Sequence, residues 1–417
     1  MWEICKTEDD AAAEFDRTIA FIKSSIKSYQ ELLEKSRGWN TLSGILSTFR
    51  RLAIGIMLCL GPYNYPINET YAALIPALLL GNIIIVKIPM LGGLAHYLTL
   101  EAFAANFPKG VIQFVSGSGR DTIGTIMQSG LVDILAFIGS SKASDIIIKQ
   151  HPHPHRLKLF LQLEAKNVGI VLPDANLENA VEQIALGTLS YNGQRCTAIK
   201  LVFVHTSIAE RFITLFSDKV GSLKAGLPWE KGVSITPLPE ENKPKFLREL
   251  VQDALEKGAR IVNEKYGGGE LYDKALLIPP IVFPVTSNMR LFREEQFGPV
   301  IPVAVYSDEK ELVEYITTSP YGQQAALFTS DPSSISHLIN VLSTNVGRIN
   351  INTQCGRSPD SLPFSARKSS GLGTMSVSEA LLAFSVECLL AGKLSGTNEE
   401  ILKGLEKNAL FLDTVTV

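Results

Sequence analysis

Apolar residues at positions 12, 15, 19, 21, 22, 26, 29, 32 and 33 recur three and four apart among charged positions of residues 8–36, the period of a helix with one buried face. Residues 38–48 read as loop and the run from Leu52 to Leu60 as a buried strand. Beyond it the pattern alternates: helix 68–80, strand 83–87, helix 93–106, strand 111–115, a helix from Asp121, strand 134–138 and helix 142–150. Short apolar strands separated by helices predict an α/β fold with a parallel sheet covered on both faces. Ligands of such sheets bind at the carboxyl ends of the strands.

Residues 157–164 alternate with period two, which puts Lys158, Phe160 and Gln162 on one face, with Glu164 beside them if the strand continues that far. A helix over 177–189 then delivers the chain to Ser190-Tyr-Asn-Gly-Gln-Arg-Cys196-Thr-Ala198, and a second alternating region, 201–352, predicts another large domain. Two turns could offer backbone N–H groups to an anion. Gly117-Ser118-Gly119 is a poor dinucleotide loop, because Thr122 stands where a third glycine belongs. Gly139-Ser140-Ser141 runs directly from a strand into a helix; the plain alternative is a turn with serine as N-cap.

Composition narrows the setting. With 417 residues, 46% apolar and 19% charged, and a net charge of −3, the chain reads as soluble and multi-domain. It lacks the basic excess that nucleic acid or an acidic membrane surface requires. Pro62, Pro66, Glu69, Pro76, Gly81 and Asn82 break the apolar stretch 52–86 into pieces too short to span a membrane. The first residues carry no signal-peptide pattern, so a cytoplasmic location is expected.

Five cysteines without paired spacing indicate neither a disulfide framework nor a zinc site. The run His151-Pro-His153-Pro-His155 reads as a solvent-facing loop with no metal, and residues 265–270 as a glycine-rich surface turn. Cys196 stands apart because Gly193 can shape a tight loop around it and the Arg195 cation favours thiolate. The alternative for a lone cysteine is a small buried hydrophobe.

Gly61-Pro-Tyr-Asn64-Tyr-Pro66, Phe137-Ile-Gly139-Ser140, Gly193-Gln-Arg-Cys196-Thr, Glu294-Glu-Gln-Phe297-Gly-Pro299 and Pro363 to Gly373 occur in the order found in aldehyde dehydrogenases. On these motifs the chain resembles that family. Residues 190–200 and 352–360 look like its non-phosphorylating glyceraldehyde-3-phosphate dehydrogenases. The resemblance implies an aldehyde dehydrogenase-like α/β fold: a Rossmann-type coenzyme domain with part of its N-terminal portion absent, an α/β catalytic domain and a small oligomerisation element. The corresponding spans are 1–37 for a helix packed on the coenzyme domain, 55–165 for that domain and 166–375 for the catalytic domain. Residues 38–54 and 376–417 form the oligomerisation element of a homodimer or homotetramer.

The implied activity is oxidation of an aldehyde, glyceraldehyde 3-phosphate, to the carboxylate with NADP or NAD, through a Cys196 thiohemiacetal and thioester. Asn64 and the Cys196 N–H would hold the oxyanion. Lys87, Gly139 and Ser140 would meet the coenzyme's ribose and phosphates, and Glu295 and Phe297 the nicotinamide ribose. Tyr65, Arg195 and Arg357 would surround the substrate phosphate, to which guanidinium forks are suited. The alternative role for Arg195 is lowering the thiol pKa.

Three departures qualify this. Gln162 stands where the family's motif has its general base, and a neutral amide cannot take a proton near pH 7. Glu164, on the same face of an extended strand, is expected to supply that base; alternatively the thioester passes to another acceptor such as coenzyme A, as in CoA-acylating semialdehyde dehydrogenases. Met90 replaces a carboxylate that would repel a 2′-phosphate, so NADP is permitted. The short N-terminal portion leaves a third alternative, a catalytically impaired or binding-only relative.

Overall fold

The computed structural model describes residues 1–35, 38–272 and 275–408. The expected boundary at 37 and the last part of the expected C-terminal element, 409–417, lie outside them. Five parallel strands stand side by side in the order Ile112–Val115, Ile83–Lys87, Ile56–Leu60, Ile134–Ile138, Lys158–Gln162, with Gly371–Leu372 antiparallel at the last edge. Their central residues are apolar and largely buried on both faces, as sheets covered by helices require. The order in which strands are added reverses between Ile56–Leu60 and Ile134–Ile138, which run parallel side by side, and this is the switch point where doubly wound folds bind ligands.

A second sheet, in the order Arg260–Ile261, Ile281–Phe283, Ile301–Tyr306, Ile199–His205, Asn167–Val171, Gln324–Phe328, Arg348–Ile351, is parallel except at its first edge. A third, antiparallel, sheet joins Asn40–Leu42 and Ile45–Ala53 to Ser385–Lys393, in register from Ile45 opposite Lys393 to Ala53 opposite Ser385. The stretch 38–48 is therefore partly strand rather than loop.

The expected strand 52–60 is two strands, because Gly55 turns the chain at φ 151°. A Cβ there would sit 2.0 Å from the Asp133 carboxylate, which accepts the Ile56 N–H at 3.0 Å. The expected helix 93–106 divides into Leu94–Tyr97 and Leu100–Asn106, where Thr99 closes back on His96 through both its N–H and its hydroxyl. His151 is 3% exposed rather than solvent-facing, and its Nδ1 accepts the His153 N–H at 3.0 Å. Ser118 caps the helix Gly119–Gln128, so that turn is occupied by its own serine.

The helix Glu8–Lys35 forms where its periodicity predicts, but the buried stripe is Glu14, Thr18, Phe21 and Ser25, while Phe15, Ile19 and Ile26 are exposed. Glu14 explains the rotation. Its carboxylate accepts the N–H groups of Ile67 and Asn68 at 3.1 and 3.2 Å and pairs with the buried Lys6 ammonium. It thus satisfies the first donors of the helix Asn68–Leu79, which has no side-chain cap of its own. No helix of the described residues is long and apolar enough to cross a membrane.

Candidate active site

The loop bearing Cys196 is held in an unusual conformation by several anchors. After the helix Leu177–Leu189, Tyr191 and Asn192 adopt φ of 48° and 55°, and Gly193 follows at 68°. Left-handed backbone costs about 1–2 kcal/mol for each non-glycine residue. Asn192 offsets this by exchanging hydrogen bonds with Thr236: it donates to its carbonyl at 2.9 Å and accepts its N–H at 3.0 Å. Gly193 is required, since a Cβ would lie 2.6 Å from the Thr188 carbonyl. Lys200 then donates to the Gly193 carbonyl at 2.7 Å, Asn64 to Gln194 at 2.7 Å, and Asn167 to the Cys196 carbonyl at 2.7 Å. The backbone around Cys196 is fixed from three sides.

Cys196 opens onto a cavity of about 820 Å³ at the switch point of the first sheet. Asn64, Tyr65, Gly139, Ser140, Gln162, Glu164, Arg195, Glu295, Phe297 and Arg357 share its walls. Burial, then the negative charge of Glu69, pushes the Cys196 thiol up to about 11, against a hydrogen bond with Gln323 and the Lys200 cation, which pull it down. Arg195 is anchored on the preceding helix. Its Nη2 donates to Leu186 and Gly187 carbonyls at 3.2 and 3.1 Å, at the C-terminal end of a helix where cations are favoured.

Lys87 is the expected site residue that does not join the wall: its ammonium donates to the Ile88 carbonyl at 2.8 Å, while Pro89, Met90 and Leu91 line the cavity. Ser140 caps the helix Ser141–Lys149 by accepting the Ala143 N–H at 3.2 Å. Glu295 lies 3.7 Å from the Lys200 ammonium and accepts the Ala165 N–H at 3.4 Å. Burial raises its pKa against that cation. Phe297, at φ 32°, stands edge-on to Tyr63 and 4.6 Å beneath Lys200.

The strand carrying Gln162 stops at that residue, so Glu164 is not carried forward on its face. The Glu164 carboxylate instead accepts the Ser141 N–H at 2.8 Å. Gln162 is 2% exposed, and neither its amide oxygen nor its nitrogen has a partner among the described residues. A buried amide left unpartnered costs about 1–3 kcal/mol and marks a position that gains from a ligand.

At the opposite end the two expected guanidinium forks differ. Arg357, 5% exposed, is ion-paired to Glu69 at 2.7 Å and Asp360 at 3.3 Å, so its charge is already balanced. Arg17 donates to Asp360 at 2.9 and 2.6 Å. The Tyr65 ring lies 3.5 Å below the Lys6 ammonium, and burial pushes its phenol up to about 12.

Sequence reasoning passed over Glu69, Arg17, Gln323 and Lys200. Glu69 carried a signal, a carboxylate at the head of an otherwise apolar helix. Arg17 carried none, being one charge among many on its helix. Lys200 was visible only as the end of the cysteine motif, yet its side chain is 1% exposed and burial lowers its pKa to about 8. Among the described residues no group of three or more His, Cys, Asp or Glu could hold a metal ion.

Comparison with known proteins identifies the family. The model of the aldehyde dehydrogenase family matches residues 1–387. The NADP-dependent glyceraldehyde-3-phosphate dehydrogenase of Streptococcus equinus is 33% identical over 389 residues, 91% of this chain and 79% of that protein. The pea (Pisum sativum) enzyme of the same name is 33% identical over 79% of this chain, which spans 64% of its length. Among solved structures, NADP-dependent glyceraldehyde-3-phosphate dehydrogenase from Bacillus halodurans C-125, complexed with NADP, superposes with a TM-score of 0.87 at 33% identity, covering 94% of this chain and 81% of that one. A glyceraldehyde-3-phosphate dehydrogenase from Methanocaldococcus jannaschii, also complexed with NADP, gives 0.83 at 28% identity, covering 93% and 83%. With the family model and a solved structure both matching over most of its length, the chain belongs to the aldehyde dehydrogenase family.

Proposed function

We propose that the protein oxidises a small phosphorylated aldehyde, glyceraldehyde 3-phosphate, with NADP. The observation that carries this is the Cys196 thiol facing a cavity shared by the Asn64 amide and the Gly139–Ser140 turn. The Cys196 sulfur, once deprotonated, adds to the aldehyde carbon; the C–S bond forms and the carbonyl oxygen becomes an oxyanion. Asn64, which spends one N–H on Gln194, has a second for that oxygen, and such a donor is worth about 3 kcal/mol in a transition state. NADP, when bound, supplies the acceptor for the hydride whose loss leaves a thioester.

The residues present fit such a coenzyme in kind. Glu295 suits ribose hydroxyls, the N-terminus of the helix Ser141–Lys149 suits phosphate, and the Gln162 amide, unpartnered among the described residues, lines the same cavity. Arg195 and Arg357 are the cations assigned to the substrate phosphate: Arg195 Nε and the Arg357 guanidinium nitrogens lack hydrogen-bond partners among the described residues, although Arg357 is ion-paired to Glu69 and Asp360.

Gln162 favours a second reading of the last step. With no carboxylate in that position, hydrolysis of the thioester is slow, and a thiol such as coenzyme A would relieve it. A single-turnover experiment with glyceraldehyde 3-phosphate tests both, following NADPH and the acyl product with and without coenzyme A, and using Cys196→Ala as control. A stoichiometric NADPH burst supports the oxidation, and its absence with every aldehyde tried would leave a binding-only protein. A burst whose product release depends on coenzyme A would favour acyl transfer.

A homo-oligomer is part of this reading. Among the described residues Ser385–Lys393 is an edge strand paired on one side only, and its Val386 and Leu389 are exposed. The five unpaired cysteines suit the cytoplasm.

A further inference from the structure

The Glu164 carboxylate lies at the place where a doubly wound fold offers its best anion position. The helix Ser141–Lys149 starts at the carboxyl end of the strand Ile134–Ile138, beside the switch point. The N–H groups of such a first turn, together with the helix dipole, attract one negative group. Here the Ser141 N–H is taken by Glu164 at 2.8 Å and the Ala143 N–H by the Ser140 hydroxyl at 3.2 Å. Glu164 reaches that point because Gly139 donates to the Gln162 carbonyl at 3.1 Å. That bond holds the two segments abreast after the strand itself has ended. A second observation marks the same space as a ligand position: the Gln162 amide, 2% exposed and lining the same cavity, has no partner among the described residues.

We propose that Glu164 is a built-in rival of the coenzyme's diphosphate: it holds the first N–H of this helix, must leave before a phosphate can take that place, and so sets how tightly the coenzyme binds. This rests on the coenzyme reading above. Two anionic groups cannot share one N–H donor, and when displaced the carboxylate remains in the same cavity wall, where its charge opposes the phosphates. Glu164 is thus an affinity-setting residue, and the thioester's fate is left to other groups.

The test is a calorimetric titration of the full chain and of Glu164→Gln and Glu164→Gly with two ligands, NADP and ADP-ribose, the latter carrying the diphosphate without nicotinamide. Thermal denaturation of the ligand-free proteins checks that each variant is folded. Glu164→Gln keeps the size of the side chain and removes its charge, and Glu164→Gly removes the contact altogether. Both variants are expected to bind both ligands about tenfold more tightly than the parent. Measurable but equal or weaker binding by the variants would overturn the role of Glu164 while leaving the coenzyme reading intact. Absence of binding by the parent and both variants would overturn the coenzyme reading, and this inference with it.

Discussion

The Cys196 thiol should be a poor nucleophile in the ligand-free protein, and Glu69 should be part of the reason. Burial and the Glu69 charge push it up to about 11, four units above neutral, so only about 10⁻⁴ of it is thiolate at pH 7, against about 3% of a free thiol. Glu69 is itself held by Arg357 at 2.7 Å. Glu69→Gln removes the negative charge and leaves Arg357 with Asp360 alone, so the local potential becomes more positive. Alkylation by iodoacetamide, read at each cysteine by mass spectrometry, measures the effect. In the parent the log rate at Cys196 should climb with unit slope from pH 7 to about 10, with exposed Cys388 as internal reference and Cys59 and Cys355, buried, unmodified. Glu69→Gln should react about tenfold faster at pH 7, a shift of about one unit. A parent profile that levels off near pH 8.5, or a variant profile superimposed on the parent's, would refute the reasoning.

Restoring a carboxylate with Gln162→Glu should speed hydrolysis of an acyl-enzyme formed from an activated ester at least about 10²-fold; an unchanged rate in a stopped-flow burst assay would mean that position 162 does not serve the acyl group. Arg17→Ala removes two charged hydrogen bonds to Asp360 and should lower stability by about 1.5–3 kcal/mol in urea denaturation. Burial raises the Asp360 pKa, but the bonds from Arg17 and the charges of Arg357 and Arg17 outweigh it and leave it below the ordinary value. The stability from a lowered carboxylate pKa is present above its unfolded value of about 3.9 and is lost as pH falls through the folded one. The parent should therefore lose more stability than Arg17→Ala between pH 5 and 2, and parallel curves would count against the pairing.

Which parts of the molecule could be read in advance follows from the range of the interactions that decide them. Strands such as Ile83–Lys87 and Ile134–Ile138, and the helix over 177–189, are dictated by periodicity and caps within a dozen residues. The face a helix buries is less local. Glu8–Lys35 exposes Phe15 and buries Glu14 because residues 67 and 68, distant in sequence, need an acceptor. The turn at Gly55 depends on Asp133 in the same way.

The candidate site divides along the same line. Residue types at fixed spacing made Cys196 a candidate, and the resemblance to aldehyde dehydrogenases added Asn64 and the Gln162 position, because motifs are read from identities in order. Their electrostatic settings were not legible. Arg357 is balanced by Glu69, Arg17 meets Asp360 across 343 residues of chain, and Glu164 reaches Ser141 because its strand ends early. Charge interactions act through space and burial, and burial exists only once the chain has closed on itself. The sequence by itself therefore determined the α/β class and, through its motifs, the family, which are properties of residue type and order. Only the tertiary structure decided which charges neighbour Cys196, what holds each arginine and where Glu164 points.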